Sequence, residues 1–205
     1  MTIANLEQVS GGIVKQTKYL KKNPLRRYFI QQYLSGVLSL TQRVPTQHVL
    51  DVGCGEGFVI QHLRQHLSHI HLTGIDIEPA VLKVAAYQNP TSTLSIALAH
   101  QLPLPSQSYD LVLCNEVLEH LASPQTALQE LKRVGRSHFI LSVPREPHYR
   151  LANMAAGANW PRWGDDIDHC QRWTRAQFLH MLSQQFNIVH VLTPFPWTMV
   201  LCQHP

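Results

Sequence analysis

The sequence predicts an α/β fold, a mostly parallel sheet with helices on both faces. Three observations carry this. From about residue 48 to 143, short apolar runs alternate with amphipathic helical stretches, the pattern of parallel strands joined by helical crossovers. The first run, His48 to Val52, enters a glycine-rich turn, Gly53-Cys54-Gly55-Glu56-Gly57. The chain closes with two strand-like runs, near 187–192 and 197–203, separated only by Thr193-Pro194-Phe195-Pro196. A connection that short makes an antiparallel hairpin. With the five runs before it, this gives a seven-stranded sheet with an antiparallel last strand.

Residues 1–20 are polar, contain Gly11-Gly12 and have weak periodicity, which suits a loosely ordered arm or a short helix. A helix follows from about Pro24 to Gln42. It carries one apolar row at Leu25, Phe29, Tyr33 and Val37 and another at Ile30, Leu34 and Leu38. The division expected is 1–44 for the arm and first helix and 45–205 for the main domain. Strands are expected near 48–53, 71–76, 93–98, 110–115 and 138–143. Cys54 and Cys114 fall in these buried runs, so they read as reduced thiols. The helix after the first strand turns Val59, Ile60, Leu63 and Leu67 inward, leaving His62, His66 and His69 on another face. That spacing could bind a metal, but nothing nearby supplies supporting partners, so it reads as solvated surface. Pro79 suits the first turn of the next helix, and Ser123-Pro124 suits a cap and first turn. Thr174-x-x-Gln177 is a capping box.

The stretch 144–173 breaks the alternation. It holds Tyr149, Trp160, Trp163 and Trp173 and follows the fifth strand, at the edge where open α/β sheets bind ligands. An insertion there can wall a substrate pocket. The bulk numbers allow a single domain: 205 residues, 44% hydrophobic, formal charge +4. No block of like charge marks a nucleic-acid tail. The N-terminus lacks the apolar run of a signal peptide, and no apolar stretch approaches the ~20 residues of a membrane helix. A cytoplasmic protein without a membrane partner is expected, with oligomeric state left open.

A chain leaving a buried strand for a helix must turn sharply, and glycines let a nucleotide-like ligand lie against bare backbone N–H groups. The dinucleotide fingerprint G-x-G-x-x-G wants its third glycine at position 58, which here is Phe58. A dinucleotide oxidoreductase is therefore disfavoured. The run Val49 to Gly57 instead resembles the first motif of class I S-adenosylmethionine-dependent methyltransferases, in particular the small-molecule type 11 group. Later segments continue the resemblance: His71 to Pro79 with Asp76 at its tip, Ala97 to Asp110, and Asp110 to Leu121. The resemblance runs from about residue 45 to the end and implies a Rossmann-like fold with S-adenosyl-L-methionine as cofactor and S-adenosyl-L-homocysteine as product. It implies that Gly53, Cys54, Gly55 and Gly57 shape the loop around the methionine half, with Asp51 and Glu56 stiffening it. Asp76 would take the ribose hydroxyls, and Asn115 would lie near the methionine amino group. The first helix would cover the pocket as a lid. One departure stands out. Where the family often has an Asp for the adenine amino group, this chain has Leu98, so Ile77 and Leu98 would sandwich the base and backbone near Ala99 and His100 would hold its edge.

Methyl transfer needs alignment above all, and a base only where the acceptor holds its proton tightly. His120, His169 and Glu116 are the catalytic candidates, histidine having the most suitable unperturbed pKa. The expected partner is a small molecule, with no metal. Two alternatives remain. Glu116-x-x-Glu119-His120, with a downstream segment from Asp168 to Arg175, resembles metal-dependent RNA 3′-terminal 2′-O-methyltransferases, in which two carboxylates and two histidines hold Mg²⁺ or Mn²⁺. The position before the Asp-His pair departs from that pattern. A catalytically silent partner protein that keeps the cofactor fold is the other.

Overall fold

The computed structural model describes residues 24–156 and 159–205; the expected N-terminal arm over 1–20 lies outside them. Its strands are β1 (His48–Val52), β2 (His71–Asp76), β3 (Thr93–Ile96), β4 (Tyr109–Asn115), β5 (Gly135–Pro144), β6 (Asn187–Leu192) and β7 (Trp197–Gln203). They form one sheet in the order β3-β2-β1-β4-β5-β7-β6. β1 to β5 pair in parallel, and β7 runs antiparallel to both β5 and β6. The order reverses between β1 and β4, and in such sheets ligands bind beyond the carboxyl ends of the strands at that switch point.

The helices are α1 (Pro24–Thr41), α2 (Phe58–His66), α3 (Pro79–Gln88), α4 (Pro124–Val134), α5 (His148–Ala155) and α6 (Arg175–Ser183). Alternate strand residues feed two cores because side chains alternate across the sheet. On one face Val112 and Cys114 of β4 pack with Leu128, Leu131, Phe139 and Phe178. On the other, Leu111 and Leu113 pack with Tyr33, Val37, Ile60 and Met199. Both faces are covered, which is why β1 and β4 read as nearly continuous apolar runs. Of the two apolar rows expected on the first helix, Ile30, Tyr33 and Val37 are buried in the second core and Phe29, Leu34 and Leu38 partly so, while Leu25, in the helix's first turn, is exposed.

The capping box at Thr174 is present in full, and Pro79 opens α3. Ser123 differs from expectation. It precedes α4 but makes no capping bond, and its hydroxyl pairs with Thr126 Oγ1 at 3.1 Å. The third strand is shorter than expected because the chain turns at Leu98, which bridges to Gln101. Cys54 is buried as expected, but in the turn after β1 rather than within a strand. His66 and His69 lie on the surface, while His62 is half-buried. No helix among the described residues is long and apolar enough to cross a membrane.

Candidate functional site

The glycine turn is held open by three left-handed residues, with φ 75° at Gly53, 54° at Gly55 and 78° at Gly57. At Gly53 a side chain has no room either, since a Cβ would lie 2.2 Å from Val117 Cγ2. The turn is anchored to the next strand. Gly53 N and Cys54 N both donate to Ile75 O, at 2.7 and 2.9 Å. Asp76 then ties the loop to the start of α3: its Oδ2 accepts from Gly55 N at 2.8 Å and its Oδ1 from Glu78 N at 2.9 Å. A carboxylate has about four acceptor positions, so two backbone bonds leave capacity for a ligand's hydroxyls.

Above this turn is a cavity of about 370 Å³, a normal size for a ligand site. It is lined by Gly53, Gly55, Asp76, Ile77, Leu98 and Ala99 on one side and by Glu116, His120 and Asp168 on the other. Residues widely separated in sequence therefore meet at the carboxyl edge of β1, β2 and β4. Ile77 and Leu98 are apolar yet 62% and 37% exposed on the cavity wall. Asp51, Cys54, Gly57 and Asn115 do not line the cavity; they form the frame behind it.

Electrostatics set the frame apart. Burial, with the nearby Asp76 charge, pushes the Asp51 carboxyl up to about 7. His169 is buried beside His120, with ring centroids 4.9 Å apart. Burial first, then His120, pushes its pKa down to about 4, so His169 is neutral at physiological pH. His120 itself is oriented by Asp168, whose carbonyl oxygen lies 2.9 Å from Nδ1. A carbonyl can only accept, so Nδ1 carries the proton and Nε2 is left basic. Glu116 has φ 60°, and the indole N–H of Trp197 donates to its Oε2 at 2.5 Å.

Residues 50–141 match the methyltransferase domain family, type 11. That match takes in a little under half of the chain, which over this segment resembles the methyltransferase family. Among its relatives, the ubiquinone biosynthesis O-methyltransferase of Hahella chejuensis (strain KCTC 2396) is 30% identical over 133 residues, covering 61% of this chain and 52% of that protein. The chain thus spans about half the length of that relative. Two solved structures share the fold. Magnesium protoporphyrin IX methyltransferase from Synechocystis PCC 6803, solved with S-adenosylhomocysteine, superposes with a TM-score of 0.68 at 18% identity, covering 90% of this chain and 89% of that one. The methyltransferase domain of bacterial CtHen1 also gives 0.68, at 22% identity over 86% and 98% of the two chains.

The donor of this methyltransferase family is S-adenosylmethionine, and the site fits it. The exposed pair Ile77 and Leu98 flanks the cavity into which Asp76 opens. Behind it, Asn115 Nδ2 is buried without a hydrogen-bond partner among the described residues, a donor suited to a polar ligand group. Two features of this site had no local signal in the sequence. Trp197 reaches Glu116 from 81 residues away. The Asp168 carbonyl orients His120 across 48 residues, and backbone carbonyls leave no trace in residue type. Tyr149 was visible as an aromatic in the insertion, but its ring contact with His169, 5.4 Å between centroids, was not.

Proposed function

We propose that this chain transfers a methyl group from S-adenosylmethionine to a small-molecule acceptor in the cytoplasm. The observation that supports this reading most is the cavity in which the glycine turn, Asp76, the exposed apolar pair and His120 meet. In the roles proposed, Gly53, Cys54, Gly55 and Gly57 frame the methionine half, with Asp51 and Asn115 near its amino group. Asp76 holds the ribose, and Ile77, Leu98 and Ala99 hold the adenine. When bound, the cofactor supplies a methyl group already activated on a sulfonium. The names of the curated relatives favour oxygen as the acceptor atom.

An oxygen acceptor must lose a proton. His120 is positioned to take it at Nε2, because its Nδ1–H is committed to the Asp168 carbonyl. His169 stays neutral behind it and so does not repel the charge that His120 gains. Glu116, held by Trp197, orients the acceptor hydroxyl. The first helix, which lines no part of the cofactor cavity, and the insertion at about 144–173 act as the acceptor wall.

Calorimetry with S-adenosylhomocysteine tests the reading, and absence of binding at millimolar ligand ends it. Transfer of labelled methyl to a panel of hydroxyarenes, amines and thiols then identifies the acceptor. On that acceptor, His120→Gln is expected to lower kcat by about 10²–10⁴-fold, with S-adenosylhomocysteine affinity unchanged. A loss below threefold would assign proton removal elsewhere.

One observation favours a second reading, metal-assisted transfer to an RNA 3′ end. Ligand atoms of Glu119, His120 and His169 lie within 4.8 Å of one another, a set of hard and borderline donors suited to Mg²⁺ or Mn²⁺. Mn²⁺ titration followed by electron paramagnetic resonance discriminates. Under this reading Mn²⁺ binds at micromolar concentration, Glu119→Gln abolishes binding, and chelation stops transfer. Under the first reading chelation leaves activity unchanged.

A further inference from the structure

A second cavity, of about 360 Å³, lies between α1, α5 and the turn that enters β7. Its walls are Phe29 and Ile30 from α1, Leu151 and Ala152 from α5, and Phe195 and Trp197 from the turn and strand. Phe29 and Phe195 meet with ring centroids 5.0 Å apart. Among the described lining residues only Arg26 is charged. Leu25 and Leu151 are apolar and 59% and 58% exposed on this wall, so the cavity opens onto an apolar patch, and contiguous patches of that kind mark interaction surfaces.

Two physical bridges join this cavity to the cofactor cavity. Trp197 lines the second cavity and donates to Glu116, which lines the first. Tyr149 lines the second cavity and packs on His169, which packs edge-on against His120 of the first. Trp197 and Tyr149 thus form the wall between the two cavities, and Glu116 and His120, the two groups suited to hold a hydroxyl and take its proton, stand just beyond it.

We infer that this cavity holds the apolar body of the methyl acceptor, and that the acceptor is an uncharged alkyl- or aryl-substituted hydroxyl compound. The inference rests on the methyl-transfer reading above. The chemistry argues for this class over others. A nucleotide or RNA end brings phosphates, and Arg26 alone does not match a polyanion, which is ordinarily met by several cations. A sugar or amino acid brings many polar groups, and burying each without a partner costs affinity. An alkyl or aryl body loses only apolar surface, which favours binding in proportion to its area. The aromatic walls add stacking contacts for a ring.

The test uses the full chain saturated with S-adenosylhomocysteine and a series of 4-alkylphenols from methyl to octyl, with affinity read by calorimetry. Affinity is expected to rise about fourfold per methylene and to level off once the cavity is filled. Ala152→Trp, which fills the cavity, is expected to abolish the dependence on chain length. Leu151→Lys, at an exposed position that tolerates substitution, is expected to lower octylphenol affinity at least tenfold. Both variants should keep wild-type affinity for S-adenosylhomocysteine, which also reports that they are folded. If S-adenosylhomocysteine fails to bind the wild type, the methyl-transfer reading fails. If it binds but phenol affinity is flat along the series, or Leu151→Lys leaves it unchanged, the cavity assignment is overturned while the cofactor assignment stands.

Discussion

Asp76→Ala is expected to weaken S-adenosylhomocysteine binding at least a hundredfold. Hydrogen bonds to a charged group contribute about 1.5–3 kcal/mol each, and a ribose offers two hydroxyls to this carboxylate. The carboxylate also anchors the amides of Gly55 and Glu78, so its loss loosens the loop that the rest of the cofactor would lie on. The two effects separate in Asp76→Asn. The amide keeps one acceptor oxygen for the backbone and retains part of the loop geometry, but its charge is gone. Its affinity should fall between wild type and the Ala variant. Melting temperature measured without ligand isolates the structural part, which should be a few degrees for a loss of about 1 kcal/mol in a chain of this size. Affinity within threefold of wild type for Asp76→Ala would remove the ribose role, whatever the melting temperature shows.

Such a prediction is available because this part of the site is local. Gly53, Gly55 and Gly57 were readable as a turn because left-handed backbone selects glycine. Asp76 was readable as an acid at the tip of a strand just before Pro79, and it accepts from the amides of Gly55 and Glu78 there. The sheet was readable through its alternation, and α6 through its capping box. What escaped has a common physical cause. Ser123 has the residue type of a cap, but its hydroxyl found Thr126 instead, a choice between two partners of similar strength. Trp197 sits in a strand pattern that predicts only burial, and its donation to Glu116 arises from the antiparallel turn that brings β7 back beside β5. The tautomer of His120 is set by a carbonyl at Asp168. Side chains matched to a distant partner by tertiary packing carry no periodic signal, and the surroundings of Glu116, His120 and His169 are built largely from such contacts.

Asp51 extends the argument from geometry to protonation. Its carboxyl is pushed from an ordinary 3.8 up to about 7, by burial and then by Asp76. In the unfolded chain the same group ionises near its ordinary value. Between those two pH values the folded state holds a proton that the unfolded state has lost, so stability falls as pH rises through this window and is level above it. Asp51→Asn is neutral throughout. Without ligand it should be more stable than wild type at pH 8 by up to about 4 kcal/mol, because each pH unit between the unfolded and folded ionisations is worth about 1.36 kcal/mol. Below about pH 4 the two should be equally stable. Ligand binding should show the opposite preference. The cofactor brings an ammonium group, which favours ionised Asp51, so wild-type affinity for S-adenosylhomocysteine should rise as pH climbs through about 7. Binding at pH 6 should release a proton, measurable by calorimetry in buffers of different ionisation enthalpy. Asp51→Asn should bind more weakly at pH 8, with neither pH dependence nor proton release. A variant that gains stability and binds as well as wild type would show that Asp51 only frames the loop. A variant that loses affinity while gaining stability would show that the fold carries a buried carboxyl, unfavourable when ionised, for the sake of the ligand's positive charge.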